Sequence, residues 1–120
     1  MNRFLFFLLI FIGIGLGSCD DSTKASLIRA GIMSEEIVKE KMRFPSEVEF
    51  GDEIKGEVLN PSTFKVLRKF TAKNAFGVKS DYAYRIFMTH KGGDWAELSN
   101  WSFENLTIEE VSTGKQYFYD

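Results

Sequence analysis

From about Thr23 to Met42 the apolar positions return every three or four residues, with Leu27, Ala30, Met33, Ile37 and the stem of Lys41 on one stripe and Ser34, Val38 and Met42 beside it. Charges fill the other face, so the spacing predicts an amphipathic helix ending near Arg43. Phe44 precedes Pro45, which drives it out of the α region and supplies the stop. Gly31 weakens the middle of the helix by about 1 kcal/mol relative to Ala. Ser34, ahead of Glu35 and Glu36, is a candidate cap for a second start.

Beyond the helix the period changes from near four to two. Pro45-Ser46-Glu47 is expected to open an extended segment, and Gly51-Asp52 and Gly56 punctuate short strands around Val48 to Phe50 and Ile54 to Leu59. Asn60-Pro61-Ser62 makes a turn. Phe64, Val66, Phe70 and Ala72 then alternate with mostly polar neighbours, and Val78, Tyr82, Tyr84, Ile86 and Met88 do the same. Arg68 interrupts the first apolar face, and its expected place opposite Tyr84 predicts a cation–π pair.

The loop between these two runs follows from parity. A two-residue turn of Ala75-Phe76 would set each even-numbered apolar residue against an odd-numbered polar one, placing the faces at odds. A three-residue loop of Ala75-Phe76-Gly77 pairs Asn74 with Val78, Phe70 with Tyr82, Val66 with Ile86 and Phe64 with Met88. Such a loop wants a left-handed residue at its last position, where Gly77 has no Cβ to clash.

His90 to Asp94 forms the next turn, with a strand expected from Trp95 to about Leu98. Trp95, Trp101 and Phe103 share one parity and Leu98 has the other, which places a bulge or loop near Ser99-Asn100. Leu106 to Val111 and Gln116 to Tyr119 make a final hairpin around Ser112 to Lys115. The chain therefore reads as α+β, an N-terminal amphipathic helix packed on an antiparallel sheet of about four to five strands.

Ahead of this domain lies a segment of another kind. Arg3, an apolar stretch from Phe4 to Ile12 and a small-residue approach have the order of a secretion signal. A membrane span needs about 20 apolar residues, and Phe4 to Leu16 is shorter and broken by Gly13 and Gly15. Leu16-Gly17-Ser18-Cys19 reads as a bacterial lipobox, with cleavage between Ser18 and Cys19 and acylation of Cys19. Residues 1–18 are then a lipoprotein signal peptide, 19–23 a lipidated tether, and 24–120 one domain.

Cys19 is the only cysteine, and an unpaired cysteine in an exported chain needs a use. Two or three acyl chains on it give stable attachment where one holds only marginally. Bacterial groups read the acidic residues Asp20 and Asp21 in opposite senses, so inner and outer membrane both stay open. Asp21-Ser22-Thr23 resembles a bacterial O-glycosylation tripeptide, although a short polar tether is the plainer reading. The Asn105-Leu106-Thr107 sequon is expected to be fortuitous in a bacterial protein.

A resemblance is carried by Val38-Lys39, Met42, Pro45-Ser46 and Phe50, and then by Phe70 through Gly77. These resemble a group of small bacterial domains with the pattern V-K-x-x-L-x-x-P-S-x-x-x-F, followed by V-D-A-x-N-x-F-G-A and an arginine-bearing strand. The likeness spans Val38 to Met88. Thr71 replaces the acidic residue of that pattern, and Asp81 stands where the arginine is expected. The resemblance implies a helix followed by an antiparallel hairpin and carries no residue role with it.

Charge narrows the partners. The chain has 15 basic and 17 acidic residues, a formal charge of −2, and loss of Arg3 with the leader adds one negative unit. Interspersed acidity of this kind gives no basic stripe for nucleic acid. No disulfide is available, so the domain is held by apolar burial.

Chemistry is sparse. His90 has no second histidine for a metal site and is expected to be solvated in its turn. Glu35-Glu36, Asp52-Glu53 and Glu109-Glu110 are adjacent pairs whose members point apart, unsuited to acid–base work. Lys91-Gly92-Gly93-Asp94 lacks the spacing of a phosphate loop.

No catalytic residues, cofactor or metal are therefore assigned. Phe76 at a hairpin tip and the C-terminal aromatics are candidates for an exposed contact surface. The sequence points to a lipid-anchored binding module of the cell envelope, attached to the membrane through Cys19, with an envelope protein or glycan as partner. A tethered enzyme or enzyme inhibitor with an unrecognised site is the alternative.

Overall fold

The computed structural model describes residues 26–120. The lipobox, the Ser18–Cys19 cleavage and the tether lie outside the described residues. Ser26 has extended backbone, φ −142 and ψ 167, and its Oγ accepts the Arg29 N–H at 3.2 Å. This N-cap satisfies a helix donor that has no partner of its own, so α1 runs Leu27–Lys41 rather than from Thr23. Lys39 and Lys41 in the last turn face its negative end.

The helix is less cleanly amphipathic than its spacing predicts. Ala30, Gly31, Met33, Ser34, Ile37 and Val38 are buried, whereas Ile28 and Ile32 stand at the surface, 55% and 42% exposed. Ser34 does not restart the helix. It is buried in an unbroken one, its Oγ donating to Gly31 O at 2.7 Å and sharing a hydrogen bond with Tyr84 Oη at 2.6 Å. Gly31 has a packing reason too, because a Cβ there would meet Ile54 Cγ2 at 2.5 Å.

Six strands follow: β1 Glu49–Phe50, β2 Lys55–Asn60, β3 Thr63–Lys73, β4 Lys79–His90, β5 Trp101–Glu110 and β6 Lys115–Tyr119. All pairings are antiparallel in the order β1-β3-β4-β5-β6, with β2 also against β3. The count is six where four to five were expected, and the two short strands anticipated around Val48 to Phe50 and Ile54 to Leu59 share one edge of β3. β1 and β2 pair with Thr71–Phe70 and with Leu67–Thr63, and the Gly51-Asp52 break separates them. Pro45–Glu47 is a 3₁₀ turn instead of extended chain, since proline presets φ at its first position.

The β3–β4 hairpin has the register that parity demands: Phe64↔Met88, Val66↔Ile86, Arg68↔Tyr84 and Phe70↔Tyr82. Asn74 closes it, with its N–H on Val78 O at 2.8 Å and its carbonyl accepting from Gly77 at 2.9 Å. Gly77 has φ 76, the left-handed geometry expected of it.

The strand expected at Trp95 to Leu98 does not form. Asp94 Oδ1 accepts the Ala96 N–H at 3.0 Å, and a 3₁₀ turn occupies Leu98–Asn100. An aspartate that bonds the backbone two residues on makes a turn in place of a ladder. The parity shift lies farther along, at Asn105, which has φ 50. Phe87 pairs with Glu104 but Arg85 with Thr107, so two residues of β5 oppose one of β4. The bulge puts odd-numbered Trp101 and Phe103 on the same face as even-numbered Leu106 and Ile108.

That face and the buried stripe of α1 enclose the core, in which Phe64, Val66, Ile86, Met88, Leu106 and Val38 are almost wholly buried. Phe70 stacks on Tyr82 with centroids 5.1 Å apart and 9° between planes. Among the described residues the opposite face of the sheet carries no helix and leaves Leu67 and Phe118 exposed. Among the described residues no helix is long and apolar enough to cross a membrane.

Candidate functional site

The helix and the hairpin meet at one end of the domain. α1 runs from the Trp95 end, where the Arg29 guanidinium lies 5.0 Å from the Trp95 ring centroid, to the base of the β3–β4 hairpin. At the tip of that hairpin Phe76 is 90% exposed. A phenyl ring so far from the core contributes little to folding, and its loop is held firmly. Asn74 Oδ1 accepts the N–H groups of both Phe76 and Val78, at 3.0 and 3.1 Å.

Beside this tip lies a cleft of about 220 Å³. Lys41, Arg43 and Lys73 line it from the helix end and β3, and Tyr82, Tyr117 and Tyr119 from β4 and β6. Lys41 Nζ sits 5.4 Å from the centroid of Tyr119 and 5.8 Å from that of Phe103. The C-terminal aromatics thus divide. Tyr117 and Tyr119 pair with Ile108 and Leu106 on the helix side, while Phe118, 71% exposed, is on the open face. Trp101 is buried, its Nε1 donating to Trp95 O at 2.7 Å.

Below the cleft Tyr82 donates its hydroxyl to Glu110 Oε2 at 3.4 Å, and Thr113 Oγ1 donates to Oε1 at 3.0 Å. Burial, reinforced by the Glu110 charge, pushes the Tyr82 phenol up to about 12. Hydrogen bonds from Ser80 and Thr113 hold the Glu110 carboxyl below its usual range. A neutral phenol bonded to an ionised carboxylate is a positioning pair, with the proton settled on the tyrosine.

Other candidates resolve into structure. Arg68 is not stacked on Tyr84: its guanidinium lies 5.0 Å from the Phe50 centroid, pairs with Glu35 at 2.7 Å and donates to the carbonyls of Gly31 and Gly51. The arginine reaches across the uncovered gap between β1 and β2, where Phe50 and the helix supply its partners. Tyr84, also buried and with a raised pKa from burial, gives its hydroxyl to Ser34 instead. A second cleft, about 280 Å³, opens at this gap, but Arg68 is spent on four hydrogen bonds there.

His90 is not solvated in a turn. It ends β4 with its ring 4.9 Å from Trp101, and its Nε2 is buried without a hydrogen-bond partner among the described residues. Glu35 turns inward to Arg68 while Glu36 meets Lys39 at 3.8 Å. Glu109 bonds Gln116 on the open face and Glu110 turns inward. Among the described residues no three His, Cys, Asp or Glu side chains converge as a metal site would require.

Sequence reasoning reached Phe76 but missed the cleft, since it had no means of placing Lys41 and Arg43 against Lys73. The available signal was the register: pairing Phe70 with Tyr82 puts Tyr82 near the hairpin base, three residues from Lys73 on the neighbouring strand's ladder. No family model matches this chain, nor does any curated protein or solved structure.

Proposed function

We propose that this protein is a lipid-anchored binding module of the bacterial cell envelope, held by an acylated Cys19 and engaging a partner protein through the β3–β4 hairpin tip. The observation that carries the reading is Phe76, a large apolar side chain 90% exposed on a loop whose backbone is fixed by Asn74. Aromatic residues, phenylalanine among them, are enriched at protein interfaces relative to the rest of the surface.

The position of the anchor supports it. Six residues lie between Cys19 and Ser26, and the seven steps along the chain reach at most about 25 Å when fully extended. The cap at Ser26 and the hairpin are at opposite ends of α1, so attachment through Cys19 enters at the end of the helix remote from Phe76.

Two experiments separate the parts. Intact mass after detergent extraction is expected to include acyl chains on wild type, and Cys19→Ala is expected to leave the membrane fraction while remaining folded. A wild type without acyl mass refutes the anchor. Photo-crosslinking from position 76 in envelope preparations is expected to trap one dominant protein, and Phe76→Ser is expected to lose it in pull-downs. Capture undiminished by Phe76→Ser refutes the hairpin as the contact.

A further inference from the structure

The cleft beside the hairpin is cationic at its mouth and aromatic on its floor. Lys41, Arg43 and Lys73 line it and no carboxylate does. In a chain with more acidic than basic residues this is a local reversal of charge. The three cations are also lightly committed. Lys41 rests on ring faces, and Lys73 reaches Glu47 only at 3.7 Å with both side chains about half exposed. Arg43 is exposed and has no ion pair or hydrogen bond among the described residues.

Part of this charge has a local role, since Lys41 in the last helical turn faces carbonyls without intrahelical partners. Arg43 and Lys73 lie beyond that turn. Tyr82 cannot serve a ligand as donor, because its proton is given to Glu110. Recognition of charge at this cleft falls to Arg43, Lys73 and Lys41, beside Asn74, Ile108 and the tyrosines.

We propose that the cleft receives the carboxylate side chain of an acidic, otherwise apolar peptide segment on the partner, while Phe76 covers the apolar residue beside it. This rests on the hairpin reading above. Size favours a peptide side chain over a glycan: about 220 Å³ is smaller than the ~300–1,000 Å³ typical of small-molecule sites. Ala75 lines the cleft and Phe76 follows it directly, so a cationic pocket and an apolar knob are adjacent, as a peptide with both kinds of side chain requires.

The test is titration of the full chain in detergent with an acetylated, amidated peptide Leu-Glu-Phe-Glu-Leu, its glutamine counterpart, and glucuronate, followed by backbone amide NMR. The glutamate peptide is expected to shift residues 41–43, 73–78 and 117–119 saturably. It should bind at least about 5-fold tighter than the glutamine peptide, and lose that advantage in high salt. Arg43→Ala with Lys73→Ala is expected to weaken it roughly 3- to 10-fold, two exposed ion pairs' worth, leaving other amides unmoved.

Equal binding of both peptides, or none, overturns the proposal. Binding of glucuronate with the peptide inert overturns it in favour of an acidic glycan. Partner capture lost in Phe76→Ser while both peptides bind equally removes this inference and leaves the hairpin contact. Carboxylate-dependent peptide binding with capture intact in Phe76→Ser does the reverse.

Discussion

Replacing Arg68 by methionine removes a buried cation that ties α1, β1 and β3 together. Its side chain is 7% exposed and its partner Glu35 27%, so the pair is largely, though not wholly, withdrawn from water. The bond to Glu35 at 2.7 Å is charge-assisted and worth about 1.5–3 kcal/mol. The carbonyls of Gly31 and Gly51 lose a donor as well, at about 0.5–1.5 kcal/mol each, with the exposed Gly51 end recovering water. Glu35 can also turn toward solvent, which keeps the total below the 3–5 kcal/mol of a fully buried broken pair.

Arg68→Met is therefore expected to cost about 3 kcal/mol, or roughly 12–24 °C in Tm at about 4–8 °C per kcal/mol for a domain of this size. Glu35→Gln, which keeps an acceptor, is expected to cost about 1 kcal/mol. Urea unfolding of the full chain followed by tryptophan fluorescence reads both, and a double-mutant cycle with the combined variant is expected to give a coupling near 1.5 kcal/mol. A loss under 1 kcal/mol for Arg68→Met with coupling below 0.3 would mean that the network contributes nothing net, and the reasoning fails.

Deleting Asn105 removes the extra residue of the β5 bulge and forces either Trp101 and Phe103 or Leu106 and Ile108 onto the open face. The expected outcome is loss of cooperative unfolding, whereas Asn105→Gly, which suits φ 50, should stay within about 1 kcal/mol of wild type; a cooperative deletion variant refutes the assignment of the bulge. Absorbance at 295 nm is expected to show a phenol titrating near pH 12 in the folded chain, and Glu110→Gln to lower its pKa. Because the folded pKa of Tyr82 lies above the ordinary value of 10.0, its stabilising share is complete below pH 10 and is lost as pH rises toward 12; tyrosines all titrating together near 10 in the folded protein contradict the buried Tyr82–Glu110 contact.

The hairpin was legible because its information is local. Alternation fixes which residues share a face, and an odd loop of three is the length that keeps Phe70, Val66 and Phe64 facing Tyr82, Ile86 and Met88. Phe76 as an exposed tip follows from the same arithmetic. The Trp95 to Leu98 segment misled because apolar residues near turns satisfy strand spacing without a neighbour to pair with, and Asp94 turned the chain instead.

The cleft and the Arg68 network were not legible, since each joins residues far apart in sequence. Gly31 reads as a weak point in a helix until Ile54 is seen packed against it, and Ser34 reads as a cap until Tyr84 reaches its hydroxyl.

What the sequence determined alone is therefore what short-range physics controls: the helix stop before Pro45, the hairpin register and the left-handed Gly77. Tertiary structure decided where the helix ends relative to the sheet, and with that the meeting of Lys41, Arg43 and Lys73 over Tyr82, Tyr117 and Tyr119. The reason is that periodicity tells which side of an element is buried but carries no information on which element covers it. Position along the helix axis is set by side-chain packing, here Ile54 against Gly31 and Arg68 against Glu35.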